Sequence, residues 1–201
     1  MKNRMMNSVR VLMSWALAVL LAVSATGMAA QQSDVIDSIE TVHLLIGRQG
    51  GSCSAVMIAP SRAVTAAHCL KIPNPVLRIN DVDYSVSGSY VIKEGVDAAM
   101  LIVPAAPCPC ASVKNTPENL YAPVYVVGYP YGLMRFITVG LFQGYLKHSE
   151  DLQMYGVTDA RTAPGTSGGG VFNAQGELLG IGTATNEHMS LYVELAGMLP
   201  Q

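Results

Sequence analysis

Beyond residue 40 the chain is a succession of short apolar runs separated by glycine, proline, asparagine and serine. Residues 41–47 predict a first strand, and Gly50-Gly51-Ser52 a turn. The run 55–59 is apolar throughout, as a strand buried on both faces would be, and Pro60-Ser61-Arg62 ends it. Residues 63–69 begin as a strand and end as a short helical turn carrying His68. The segment from Val76 to Ile92 alternates well enough for two or three strands, divided at Asn80-Asp81 and Ser87-Gly88. Asp97 opens a further apolar run, 98–103. Residues 104–123, rich in proline and small side chains, read as a connector. The second half predicts strands at 124–130, 136–140, 144–146, 153–158, 170–173, 178–184 and 191–195, with a hairpin at 174–177. Short strands, frequent turn signals and almost no helical periodicity predict an all-β domain, either a sandwich or a pair of barrels. No internal repeat is apparent.

The N-terminus breaks this pattern. Lys2, Arg4 and Arg10 precede an apolar run over 11–23, and small residues close it at Ala25-Thr26-Gly27-Met28-Ala29-Ala30. This predicts a signal peptide, residues 1–30, cleaved after Ala29 or Ala30, and hence an exported protein in the periplasm or outside the cell. The run is short for a membrane anchor, so no stable membrane association is expected once it is removed. Removal takes three of the 12 basic residues and none of the 14 acidic ones, leaving a net charge of about −5. That balance gives no reason to expect a nucleic-acid partner. Residues 31–201 are enough for one domain with its own core. In an oxidising compartment the four cysteines become potential disulfides. Cys53 and Cys69 flank two strand-like runs, and a bond between them would close a loop worth about 3 kcal/mol. Cys108 and Cys110, in Pro107-Cys108-Pro109-Cys110, lack the Cys-x-x-Cys spacing of redox and zinc motifs. They could bond each other, bond another chain or stay reduced.

Candidate chemistry centres on Pro164-Gly165-Thr166-Ser167-Gly168-Gly169-Gly170. Glycines on both sides allow a sharp turn that lifts the serine out, and leave peptide N–H groups uncovered beside it. A lone Gly-x-Ser-x-Gly string is more often a flexible loop than a catalytic one. A nucleophilic serine also needs a base and a carboxylate to orient that base. His68 at a strand end and Asp97 at the start of an apolar strand supply the types. Taken singly, His68 is a core histidine, Asp97 a turn former and Ser167 a linker residue; together and in this order they point to nucleophilic catalysis.

Thr65-Ala66-Ala67-His68-Cys69 resembles the catalytic-histidine motif of the chymotrypsin-fold serine proteases, and Asp97-Ala98-Ala99-Met100-Leu101 is similar to that family's Asp-Ile-Ala-Leu-Leu segment. Thr158-Asp159-Ala160, Pro164-Gly165-Thr166-Ser167-Gly168-Gly169 and Val127-Gly128-Tyr129-Pro130-Tyr131-Gly132 resemble the HtrA-type branch, as does Gly176-Glu177-Leu178-Leu179-Gly180-Ile181. The resemblance spans most of residues 31–201 and is weakest over 70–95 and 104–122. It implies two antiparallel six-stranded β-barrels, about 31–105 and about 106–201, with an active site in the cleft between them. It also implies an endopeptidase acting on proteins or peptides without cofactor or metal. Ser167 would be nucleophile, His68 general base and then acid, and Asp97 the orienting carboxylate. The backbone N–H groups of Gly165 and Ser167 would form the oxyanion hole. Cys53 stands where the family pairs a cysteine with the one after the histidine, here Cys69. The strand Gly180, Ile181, Gly182, Thr183 would pair with substrate, and Arg161 and Thr162 would lie at the base of the specificity pocket. Arg161 would favour an acidic side chain there, or be neutralised by Asp159 or Glu187 and point away.

Departures from the pattern limit what carries over. Thr166 stands where trypsins have an aspartate that pairs with a freed N-terminus, so that activation is not expected. Gly170 replaces a common proline, and no PDZ domain is expected after the protease domain. An α/β-hydrolase is excluded by the order of residues and the short stretch after Ser167. His43, His148 and His188 have no metal-ligand spacing. The remaining alternative is an idle homologue that binds peptides without cleaving them.

Overall fold

Apolar runs that alternate in which face they bury build two sheets here, joined face to face. The computed structural model describes residues 35–104, 106–147, 154–185 and 188–199. The expected signal peptide lies outside the described residues, as do His148 and Glu187. The first lobe contains β1 (Val42–Gly47), β2 (Ser52–Ala59), β3 (Arg62–Thr65), β4 (Pro75–Ile79), β5 (Val82–Ser85), β6 (Gly88–Val91) and β7 (Ala99–Ile102). The second contains β8 (Pro123–Gly128), β9 (Phe136–Lys147), β10 (Met154–Thr158), β11 (Gly170–Phe172), β12 (Leu178–Thr185) and β13 (Ser190–Glu194). All the strand pairings are antiparallel.

The second lobe is a closed barrel in the order β10-β13-β12-β11-β8-β9, and the first is a seven-stranded sheet, β5-β4-β1-β2-β3-β7-β6. The chymotrypsin-like double barrel expected from the sequence is thus present, with one lobe open rather than six-stranded and closed. Its edge strands β5 and β6 are consecutive in sequence, so the sheet must curl until its edges approach. At that seam Val86 N–H donates to the Pro75 carbonyl (3.3 Å) and Ser87 N–H to Ile102 (2.9 Å). The divider Asn80-Asp81 turns with φ of 48° and 63°, the left-handed pair that suits a two-residue hairpin. Two expected strands, 136–140 and 144–146, are one. β9 runs through Gly144 (φ 112°), pairing with β8 over its first half and β10 over its second, so the glycine bends a corner of the barrel instead of ending a strand.

Side-chain alternation divides the core three ways. Leu45, Cys53, Ala55, Met57, Leu77 and Leu101 fill the first lobe, while Val124, Val126, Phe142, Val171, Leu179 and Tyr192 fill the second. The other faces of the same strands, among them Val42, Val56, Val64, Val127, Phe172, Leu178 and Ile181, pack together between the lobes. The strand over 55–59 reads as apolar throughout because one face fills its own lobe and the other fills the seam. Full burial of a side chain such as Phe172 stabilises by roughly 1.5–3 kcal/mol.

Cys53 and Cys69 are bonded across a separation of 16 residues, and Cys108 bonds Cys110, which selects one of the three possibilities open from sequence. Replacing Cys53 and Cys69 together by alanine is expected to lower unfolding free energy by about 3 kcal/mol. Denaturant titration under non-reducing conditions measures it; an unchanged midpoint would show that the bond does not constrain the chain.

Candidate active site

Strand β2 carries two serines, Ser52 at its partly buried start and Ser54, which is fully buried. A buried polar group must find partners or cost stability. Ser54 finds four. Its N–H donates to the Ser167 carbonyl (2.8 Å), and its carbonyl accepts the Thr65 hydroxyl (2.7 Å). Its hydroxyl donates to the Gly165 carbonyl (2.9 Å) and accepts from the Tyr129 N–H (2.8 Å). One residue of the first lobe therefore holds two carbonyls of the serine loop in the second.

The loop is also tied to its own barrel. Gly168 N–H donates to Gly182 (2.7 Å), Gly182 N–H to Gly169 (2.9 Å), and Tyr131 N–H to Pro164 (2.6 Å). Gly165 and Gly168 have φ of 96° and 78°, and a Cβ on Gly168 would collide with the Ser54 carbonyl and the Thr65 hydroxyl. Glycine is required there by both backbone angle and space. Thr166 N–H donates to Ala163 (3.0 Å) and Gly169 N–H to Thr166 (2.8 Å). The N–H groups of Gly165 and Ser167 donate to no acceptor among the described residues. These two donors flank Thr166 and remain available to an anion.

His68 sits on a short 3-10 helix, Ala67–Lys71, directly after β3. Its neighbour Cys69 has its sulfur 3.8 Å from the Ser167 carbonyl oxygen, so the disulfide to Cys53 fastens the histidine segment to the strand that grips the serine loop. Asp97 lies at the entrance to β7. Its carboxylate accepts from the His68 backbone N–H (2.9 Å), lies 2.8 Å from His68 Nδ1, and accepts the Thr183 hydroxyl. An ionised carboxylate only accepts, so Nδ1 carries the ring proton and Nε2 keeps its lone pair. Burial raises the Asp97 pKa; the bonds from the His68 ring, the Thr183 hydroxyl and the His68 backbone outweigh it and hold the group below the usual carboxylate range.

A cavity of about 280 Å³ opens beside Ser167, between residues 162–167 and the ends of β12 and β13. Thr162 and Ser190 line it with hydroxyls 2.9 Å apart, and Ser190 Oγ donates to the Ala160 carbonyl (2.7 Å). No residue lining it is charged. Arg161 is absent from that lining, contrary to its expected place at the base of the pocket. It lines a second cavity, while its carbonyl accepts the Thr138 hydroxyl (2.7 Å). Thr162 lines both cavities, and its hydroxyl meets Ser190 on the first one. Asp159 does not neutralise Arg161, because its oxygens accept from Leu141 N–H and the Gln143 amide; Glu187 lies outside the described residues.

The expected substrate strand also shifts. Gly180 and Ile181 pair with both β11 and β13, and Gly182 pairs with β13 and with Gly168 and Gly169, so none of the three offers a free edge. The open edge is Thr183–Thr185, beyond the end of β11. Sequence reasoning missed Ser54 and Thr65, although a serine inside an apolar run was itself the signal of a buried partner. His43 is a buried β1 residue whose pKa is lowered to about 4 by burial and then by the charge of Arg135, which keeps it neutral. Cys53, His68 and Cys69 lie close enough to suggest metal ligation, but both sulfurs are spent in the disulfide.

Residues 53–181 match the family described as "Trypsin-like peptidase domain". No curated protein sequence matches the chain. Among solved structures, the active form of the Rv3671c protease from M. tuberculosis is similar at 21% identity and a TM-score of 0.75, covering 83% of this chain and 82% of that one. Its inactive form is similar at 21% identity and a TM-score of 0.71, covering 80% and 86%. The HtrA-type protease AlgW with tripeptide is similar at 19% identity and a TM-score of 0.72, covering 83% of this chain and 60% of that one.

Two measurements probe this geometry. Ser54→Ala leaves the Gly165 carbonyl and Tyr129 N–H unpartnered, and is expected to cost about 1–3 kcal/mol in denaturant unfolding; a neutral effect would show that the loop is held without it. For Asp97 the folded pKa lies below the unfolded value of about 3.9, so its contribution to stability is full above that value and is lost as pH falls through the folded pKa. Carbon NMR titration should find the depressed pKa in the native protein and an upward shift in Thr183→Val; identical titrations would remove Thr183 from the account.

Proposed function

The chain belongs to the trypsin-like peptidase family, and from that membership we propose that it is an exported serine endopeptidase working through Ser167, His68 and Asp97. The observation that carries this reading is the pair of N–H groups, Gly165 and Ser167, with no acceptor among the described residues, while the other N–H groups from Ala163 to Gly169 are bonded. A flexible linker would have no reason to spend its neighbouring donors and leave these two.

The reaction follows from the groups. His68 Nε2 takes the proton from Ser167 Oγ as the oxygen attacks the peptide carbonyl. The Asp97 carboxylate, held ionised, fixes the ring tautomer and stabilises the imidazolium that forms. Negative charge develops on the carbonyl oxygen, where the two N–H groups bind it. His68 then protonates the departing amine, leaving an ester on Ser167, and water drawn to the same base hydrolyses it. Substrate backbone adds to the open edge Thr183–Thr185. The residue before the cut bond enters the uncharged cavity bounded by Thr162 and Ser190, which suits a neutral side chain.

Export rests on the basic and apolar N-terminal pattern, and the Cys53–Cys69 bond suits an oxidising compartment. Residues 1–30 fused to a reporter active only outside the cytoplasm should export it; a silent fusion counts against the localisation.

A fluorophosphonate probe should label the wild-type protein and fail to label Ser167→Ala. His68→Ala should lower kcat/KM by roughly 10⁴-fold with an unchanged unfolding midpoint. Peptide-library cleavage should fall after neutral residues; efficient cleavage after lysine or arginine would overturn the pocket assignment. A wild-type protein that takes no label would be an idle homologue that only binds peptides.

A further inference from the structure

The second cavity, of about 340 Å³, is lined by Pro130, Leu133, Met134, Phe136 and Thr138, with Arg161 as the one charged residue. It shares Val126, Thr162, Ala163 and Thr166 with the first cavity, so the segment between Thr162 and Thr166 is a wall common to both. The apolar surface continues outward: Leu133 is 76% exposed, and Tyr131 and Met134 are each 66% exposed. Among the described residues the Arg161 guanidinium has no hydrogen-bond or ion-pair partner, and the nearby carboxylate of Asp159 is engaged elsewhere. A guanidinium with no partner among the described residues, at a cavity that is otherwise uncharged and mostly apolar, defines its complement, an apolar body with a carboxylate close beside it.

We propose that this cavity binds the C-terminal residue of a peptide, with its apolar side chain inside and its α-carboxylate on Arg161. An α-carboxylate is one bond from the carbon bearing the side chain, so one residue meets both features. An aspartate or glutamate side chain brings the charge without an apolar body, and would leave the cavity unfilled. The planar guanidinium can grip both carboxylate oxygens at once. The exposed Tyr131, Leu133 and Met134 give the preceding peptide residues an apolar rim, which a single small acid would not need. The proposal uses the fold and Arg161 alone, and stands whether or not Ser167 is a nucleophile.

The test uses Ser167→Ala protein, to prevent turnover, and a hexapeptide ending in leucine with a free carboxylate, followed by methyl NMR. Saturable shifts at Leu133 and Met134 are expected, with Ala184 and Leu191, which line only the first cavity, unaffected. Amidating the peptide and replacing Arg161 by glutamine (R161Q) should each weaken binding roughly tenfold or more, as for loss of a charge-assisted contact. Together they should lose little beyond either alone. Arg161→Lys should recover part of the affinity while the amide stays weak. Equal binding of acid and amide would overturn the proposal. Shifts at Ala184 and Leu191 instead would place the peptide in the first cavity and also overturn it. A simple alkanoate binding as tightly as the peptide would replace the peptide C-terminus by a free apolar acid.

Discussion

The structure depends on Ser54 more than on any other residue. It belongs to the first lobe, yet two of its four hydrogen bonds end on the loop of Ser167 and a third on Tyr129, in the second lobe. Hydrophobic contact between the lobes is large but indifferent to small sliding, because apolar surfaces gain by area and not by direction. Hydrogen bonds between buried groups do have direction, and a displaced pair costs the desolvation of both members. The apolar seam brings the lobes together, and Ser54 fixes their register. The disulfide extends that register to His68, because Cys53 is next to Ser54 and Cys69 is next to the histidine.

The same economy recurs on β12. Gly182 bonds the loop through both of its backbone groups, and the next residue, Thr183, gives its hydroxyl to Asp97. Two adjacent residues on one strand thus set the serine loop and the carboxylate relative to each other. His68 is set by Asp97 in turn, through both its ring and its backbone. Three segments far apart in sequence are located by a few short-range links to two strands, each rigid because it is buried in a sheet.

What was legible in the sequence follows from range. Strands such as 41–47 and 178–184 could be read because alternation and turn residues are local, and the all-β class follows from them; the double barrel came from the resemblance of the motifs. The merging of 136–140 with 144–146 was hidden because Gly144 reads as a turn locally, while its partners on β8 and β10 carry the strand through. Arg161 sits beside Thr162 in sequence, yet Thr162 lines both cavities and Arg161 the second alone, a difference that no local pattern encodes. Gly180 and Ile181 lost their expected free edge for a similar reason, since the neighbour that covers it, β11, is not visible in the strand itself. The Ser54 contacts span 111 residues to Gly165, and no local pattern encodes them beyond a polar residue out of place in an apolar run.

Charge is distributed by a similar logic. The loop from Ala163 to Gly169 is shaped by neutral backbone bonds and the hydroxyls of Ser54 and Thr166; Thr166, at 7% exposed, contributes no charge to it. Neutral bonds between buried groups are little affected by salt or by pH in the ordinary range, so the N–H groups of Gly165 and Ser167 need no ionised partner to hold their positions. Ionisable groups enter at one place, the His68–Asp97 pair, which is partly exposed and therefore open to proton exchange with water. For the proposed reaction this separates two demands. Donors that receive a developing negative charge must not move when the charge arrives, and neutral packing secures that. The base must change its protonation in every cycle, and a fixed carboxylate beside it stabilises the charged form. A charged anchor within the loop would tie the first demand to the second, making the shape of the anion site depend on pH. Thr166 keeps them apart.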